Sequence, residues 1–193
     1  MYKSKNLYLI VIKSAKGTKH RGGLQVRASY YTGRDFWKKN SAWSYEPLKE
    51  RVIQEAENQL KVQLPSSYIS LLKEQNGGEV HYSYFNNSIN MYFMEGIDID
   101  SEGRRLGILS SKYWIELLGL PPHIVLLWGD FHHYIALNYK NGSTNPSVVY
   151  LWERHMENMR WGTLQLASDF DEFLSKLHRG RKEGKPFNTT CSF

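Results

Sequence analysis

Cysteine is nearly missing from this 193-residue chain, with the single Cys191 close to its C-terminal end. Neither an intramolecular disulfide nor a cysteine-rich zinc site can form, and a reducing, cytoplasmic setting is the expectation that follows. Long apolar runs are also missing. The longest early one, Leu7 to Ile12, has six residues, below the roughly 7–15 of a signal-peptide core and far below the roughly 20 of a membrane span. No export signal and no membrane partner are expected.

Chemistry-bearing motifs are equally sparse. No Gly-x-Ser-x-Gly elbow occurs, and Cys191 has no His close in sequence, which leaves nucleophilic catalysis unsupported. Asn76-Gly77-Gly78 is not followed by a Lys-Ser/Thr pair, and Gly103 to Gly107 lacks dinucleotide spacing, so neither a phosphate cradle nor a dinucleotide site is indicated. Glu95, Asp98, Asp100 and Glu102 are dense in carboxylates, but Ile97 and Ile99 alternate with them and no glutamate stands at the twelfth position. A calcium loop is therefore excluded and a strand favoured. His132 and His133 are neighbours, which in a strand would point to opposite faces, whereas Asp130 and His132 would share one. No cofactor, no metal and no enzymatic activity are expected.

What the chain does have is uneven charge. Its formal +6 is the balance of three parts: residues 1–42 hold 10 basic and 1 acidic side chains, residues 43–174 hold 10 and 17, and residues 175–193 hold 5 and 1. Two basic ends flank an acidic middle. The 41% hydrophobic content is enough for one ordinary core.

Local patterns place the elements. Leu7 to Ile12 and Leu24 to Tyr31 have strand composition and suggest a hairpin or basic arm over residues 1–36. Leu48, Val52, Ile53, Ala56 and Leu60 recur at helical spacing behind Pro47, which suits a first turn. A second helix starts near Pro65, buries Tyr68, Ile69 and Leu72, and is expected to stop at Asn76, Gly77 and Gly78 through a left-handed glycine. Short strands follow near Val80 to Phe85 and Met91 to Ile99. Ser110 or Ser111 can cap a third helix with Trp114, Leu117 and Leu118, closed by Gly119. Strands are expected at Ile124 to Trp128, Tyr134 to Tyr139 and Val148 to Trp152, the last two separated by Asn141-Gly142. A final helix, Ala167 to Leu177, has Ser168 as cap and a stripe of Leu166, Phe170, Phe173, Leu174 and Leu177. This order predicts an α+β fold with a mixed, mostly antiparallel sheet packed against about four helices. The expected organisation is a basic N-terminal arm (1–36), one domain (37–179) and a flexible basic tail (180–193).

The stretch Val52-Ile53, Glu57, Leu60, Leu64-Pro65, Tyr68, Leu71-Leu72 and Asn76-Gly77-Gly78 resembles the N-terminal signature of the SUKH superfamily. Gly96-Ile97, Gly129-Asp130, Gly142, Val148-Val149 and Asp169-Phe170-x-x-Phe173-Leu174 agree with it, over about Trp37 to Leu177. In physical terms Leu64 and Pro65 set a turn, Tyr68 and Leu72 pack, and the glycines end a helix.

That superfamily joins fungal cell-wall regulators and killer-toxin-resistance proteins to bacterial immunity proteins of polymorphic toxin systems. The resemblance implies a non-enzymatic immunity protein that occludes a cognate toxin, and the acidic middle suits a basic, nuclease-type toxin domain. The expected contacts are Tyr92, Glu95, Asp98, Asp100, Glu102, Asp130, Phe131 and His132. The carboxylate strand is read equally well as a solvated sheet face. Two alternatives are a nucleic-acid-associated protein using the basic arm, with Tyr30, Tyr31, Phe36 and Trp37 as stacking residues, and an interaction scaffold like the fungal relatives. Oligomeric state is not indicated.

Overall fold

Segment 124–129, Ile-Val-Leu-Leu-Trp-Gly, is apolar throughout because it is covered on both faces. Val125 and Leu127 enter the main core with Tyr68, Leu72, Phe170 and Phe173, whereas Ile124 and Leu126 enter a second cluster with Leu120, Tyr134 and Leu151. The computed structural model describes residues 28–39, 41–86, 88–99, 103–154 and 161–180. The Leu7 to Ile12 strand, the hairpin containing it, Asp100, Glu102 and residues 181–193 lie outside the described residues.

In chain order the elements are β1 (Ser29–Tyr30), α1 (Glu50–Leu60), α2 (Ser66–Glu74), β2 (Gly78–Glu79), β3 (Tyr84–Phe85), β4 (Ile89–Asn90), β5 (Phe93–Met94) and β6 (Ile97–Ile99). Then come β7 (Arg105–Gly107), a 3-10 turn (Ile108–Ser110), α3 (Ser111–Leu118), β8 (Ile124–Gly129), β9 (His133–Asn138), β10 (Ser147–Glu153), β11 (Trp161–Ala167), α4 (Phe170–Lys176) and β12 (Leu177–Arg179). All pairings are antiparallel among the described residues. The central sheet runs β11-β10-β9-β8, a second sheet runs β1-β12-β3-β4, and β2 with β5 and β6 with β7 form two ribbons. The fold is α+β, as the element order predicts. No helix among the described residues is long and apolar enough to cross a membrane.

Several local expectations need correction. Pro47 precedes α1 instead of opening it, and Lys49 occupies the cap position without a side-chain bond. The helix α2 ends at Glu74 with Gln75 extended, so Gly77 and Gly78 do not cap it. Their positive φ values of 80° and 122° instead turn the chain toward β5 and β6, where a Cβ on Gly77 would stand 2.6 Å from the Gly96 backbone nitrogen. The stretch 80–99 is broken into two- and three-residue strands.

The apolar spacing of Leu166, Phe170, Phe173, Leu174 and Leu177 reads as one helix, yet Leu166 belongs to β11 and Leu177 to β12. The cap is Asp169, which accepts a hydrogen bond from Glu172 N at 2.8 Å, and Ser168 instead donates to Glu172 at 2.7 Å. As expected, α3 closes on Gly119 in the left-handed region, φ 65°.

Family-motif residues hold the helices in place. Glu57 accepts from Leu64 N at 2.8 Å across the α1–α2 turn. Asn76 is buried, donates to the carbonyls of Glu46 and Ile97 at 2.8 Å, and accepts from Ile97 N at 2.9 Å. Tyr68, fully buried in α2, donates to the carbonyl of Glu95 at 2.6 Å. Tyr31, Phe36 and Trp37 form a chain of edge-on rings, with Trp37 Nε1 donating to Leu71 O at 2.8 Å. Phe36 and Trp37 are buried and Tyr31 packs against the core, so these rings are not free for stacking on bases.

Candidate partner-binding site

Glu95 follows β5 and is fixed through its backbone: its N–H donates to Leu127 O of β8 at 2.8 Å, and its carbonyl receives the Tyr68 hydroxyl. Its carboxylate accepts a 3.2 Å hydrogen bond from the Tyr45 hydroxyl. Burial pushes the Glu95 carboxyl up from its ordinary value, and the Tyr45 bond works in the other direction. Burial, followed by the charge of Glu95, raises the Tyr45 phenol well above its usual range. Glu95 is thus a sequestered carboxylate, not part of a solvated face. Among the described residues it has no ion-pair partner.

A cleft of about 110 Å³ opens over Glu95. Its walls are Trp114 of α3, Trp128 and Gly129 at the end of β8, Phe131, and Tyr134 of β9. Trp128 reaches it through a register shift between Leu126 and Trp128 that sets Trp128 opposite Ile135; an extra strand residue of this kind re-aims the side chain after it. The Trp128 indole N–H is buried and has no acceptor among the described residues. Gly129 is required here, since a Cβ would collide with the Tyr134 ring.

The rim is the β8–β9 turn. Asp130 is not in a strand beside His132; its Oδ1 accepts from the backbone N–H groups of His132 and His133 at 3.1 and 2.7 Å. Short side chains that accept from the backbone two or three residues on stabilise turns in this way. The turn places Phe131 at φ 74° with 59% of its surface exposed, its ring 5.6 Å from Trp114 and edge-on to it. A bulky residue in the left-handed region is unusual, and such strain concentrates at functional sites. His132 pairs with Glu153 at 2.7 Å, and His133 lies 3.3 Å from Asp130 and stacks on Tyr150. Burial and the charge of Asp130 push the Tyr150 phenol up to about 12.

Tyr92, 44% exposed, packs edge-on against Trp128 at 5.8 Å, and Asp130 adds to the burial that raises its phenol pKa. The structure therefore gathers Tyr92, Glu95, Asp130, Phe131 and His132 around one end of the central sheet. Asp98 is half-buried on β6 opposite Leu106 and does not line the cleft. Sequence reading missed Tyr45, Trp114, Trp128 and Tyr134. Of these only Trp114 carried a signal, as an aromatic on an otherwise aliphatic helix face.

The motif residues Tyr68 and Asn76 bond the backbone of Glu95 and Ile97, and a family model matches residues 47–176, more than half of the chain. The protein belongs to the SMI1 / KNR4 family (SUKH-1). The family includes toxin immunity proteins and fungal relatives, and its members are generally non-enzymatic immunity or regulatory proteins. Comparisons with curated proteins and with solved structures gave no match. In this SUKH-1 protein Tyr68 of the motif holds the backbone of the cleft residue Glu95, and the Asp130 to His132 turn joins the cleft through Phe131.

Proposed function

We propose that this SUKH-1 protein is a cytoplasmic immunity protein that binds a cognate toxin through the face around the Glu95 cleft. The observation that carries the reading is Phe131, a large apolar side chain held exposed on a strained turn at the mouth of an aromatic cleft. Folding gains nothing from such exposure, whereas an aromatic anchor surrounded by polar groups is the usual centre of a protein interface. Glu95, Asp130 and Glu153 make the surroundings acidic, which supports a basic toxin domain such as a nuclease and fast, salt-sensitive encounter. Occlusion needs a complementary surface of on the order of 800 Å² on each partner and no reactive group.

Co-expression with toxins encoded beside its gene tests the proposal through growth rescue and pull-down. Rescue by the native protein and its loss in a Tyr92→Ala, Phe131→Ala double variant are expected. Failure with every neighbouring toxin overturns it.

A further inference from the structure

We infer that the Glu95 cleft is a receptor for one guanidinium group, supplied by an arginine side chain of the bound partner. The cleft combines two elements that a planar cation requires. Trp114, Trp128, Phe131 and Tyr134 supply aromatic walls, and Glu95 supplies a carboxylate at the base. Guanidinium groups stack on aromatic faces and pair with carboxylates through a rigid fork of donors, and they shed water more readily than an ammonium group does.

The carboxylate is under-compensated as it stands. The Tyr45 hydroxyl is its one side-chain hydrogen-bond donor among the described residues, and no Lys or Arg among them pairs with it. A carboxylate partly withdrawn from solvent with so little compensation favours an incoming opposite charge. Asp130 and Glu153 at the rim extend the negative field outward. The cleft's volume of about 110 Å³ suits a side-chain head and falls short of the roughly 300–1,000 Å³ typical of small-molecule sites. Fit to an apolar side chain would leave Glu95 buried against hydrocarbon, so charge complementarity selects the occupant.

The inference rests on the partner-binding reading of this face, and free ligands test it without any toxin. N-acetyl-arginine methylamide is titrated into the full chain while the indole N–H resonances of Trp114 and Trp128 are followed by NMR. Saturable shifts in the millimolar range are expected for it, and none for the neutral isostere N-acetyl-citrulline methylamide. The lysine analogue should bind more weakly. Equal shifts with citrulline, equal or tighter binding of lysine, or preference for N-acetyl-norleucine methylamide overturns the assignment. Glu95→Gln, which keeps an acceptor for Tyr45, should weaken arginine binding about tenfold or more; unchanged affinity also overturns it. The ligand comparison on the native protein stands even if that variant folds poorly. Toxin rescue without arginine binding would refute the guanidinium site alone, and arginine binding without rescue would refute the toxin alone.

Discussion

Asn76 pairs with Ile97 as one strand residue pairs with another: its side-chain amide donates to the Ile97 carbonyl at 2.8 Å and accepts from the Ile97 N–H at 2.9 Å. A side chain thereby continues a ladder that the short strand β6 cannot complete with backbone alone. Its remaining amide hydrogen goes to Glu46, so one buried residue joins the segment before α1 to the edge of the cleft floor.

Asn76→Ala should therefore cost about 3 kcal/mol or more, because it strands buried backbone groups besides removing hydrogen bonds. Urea denaturation checks this, and a loss below about 1 kcal/mol would sink the bracing role. Gly96→Ala tests the same joint sterically, since its Cβ would stand 2.5 Å from Asn76 Oδ1 and 2.7 Å from the Asn76 backbone. A loss of about 1–3 kcal/mol is expected from such overpacking.

Phe131 separates stability from binding. Phe131→Ala and Phe131→Gly both remove the exposed ring, and both should weaken partner binding at least about tenfold if Phe131 is an interface anchor. Their stabilities should differ, because glycine relieves the positive φ and alanine does not. Phe131→Gly should be more stable than Phe131→Ala by about 1 kcal/mol. Denaturation of the two variants side by side decides it, and equal stability would remove the claim of strain.

Glu95 should make the protein lose stability as pH rises. Its folded pKa is raised above the ordinary 4.5, so the native state holds the proton more tightly than the unfolded chain. Relative to Glu95→Gln, stability should fall as pH climbs from about 4.5 through the raised native value and then level off. Thermal melts between pH 4 and 8 show the slope, and parallel curves for the two proteins would contradict it.

Glu172 should act in the opposite sense. Hydrogen bonds from Lys176, foremost, and from Ser168 hold its carboxyl down at about 2. Its stabilising effect is present above about 4.5 and is lost as pH falls toward 2. Glu172→Gln should flatten the acid limb of the stability profile. The group is exposed, so the difference should shrink in high salt.

Elements with a strong local signature were legible in the sequence. The helix carrying Trp114 closes on Gly119, and the strands around Leu126, Ile135 and Val149 follow their β-branched and aromatic content. The strand Trp161–Ala167 was not legible, because Leu166 fits the same 3.6-residue spacing as Phe170 and Leu174, and only pairing with β10 decides its state. At the site, Asp130, Phe131 and Tyr92 could be guessed from polarity and aromaticity. The cleft could not, because it depends on a β-bulge before Trp128 and on Tyr45 reaching Glu95 across 50 positions of sequence. Such meetings are properties of the tertiary fold and leave no local pattern.

The β8–β9 turn is held by Asp130, whose carboxylate accepts from the backbone N–H groups of the two residues after Phe131, while the side chain at position 131 takes no part in those bonds. The loop's shape is therefore set independently of the group it displays. Position 131 works as an interchangeable mount: a single codon change gives the protein a new exposed group while Asn76, Tyr68 and the cleft floor stay as they are, which is a short route to a changed surface.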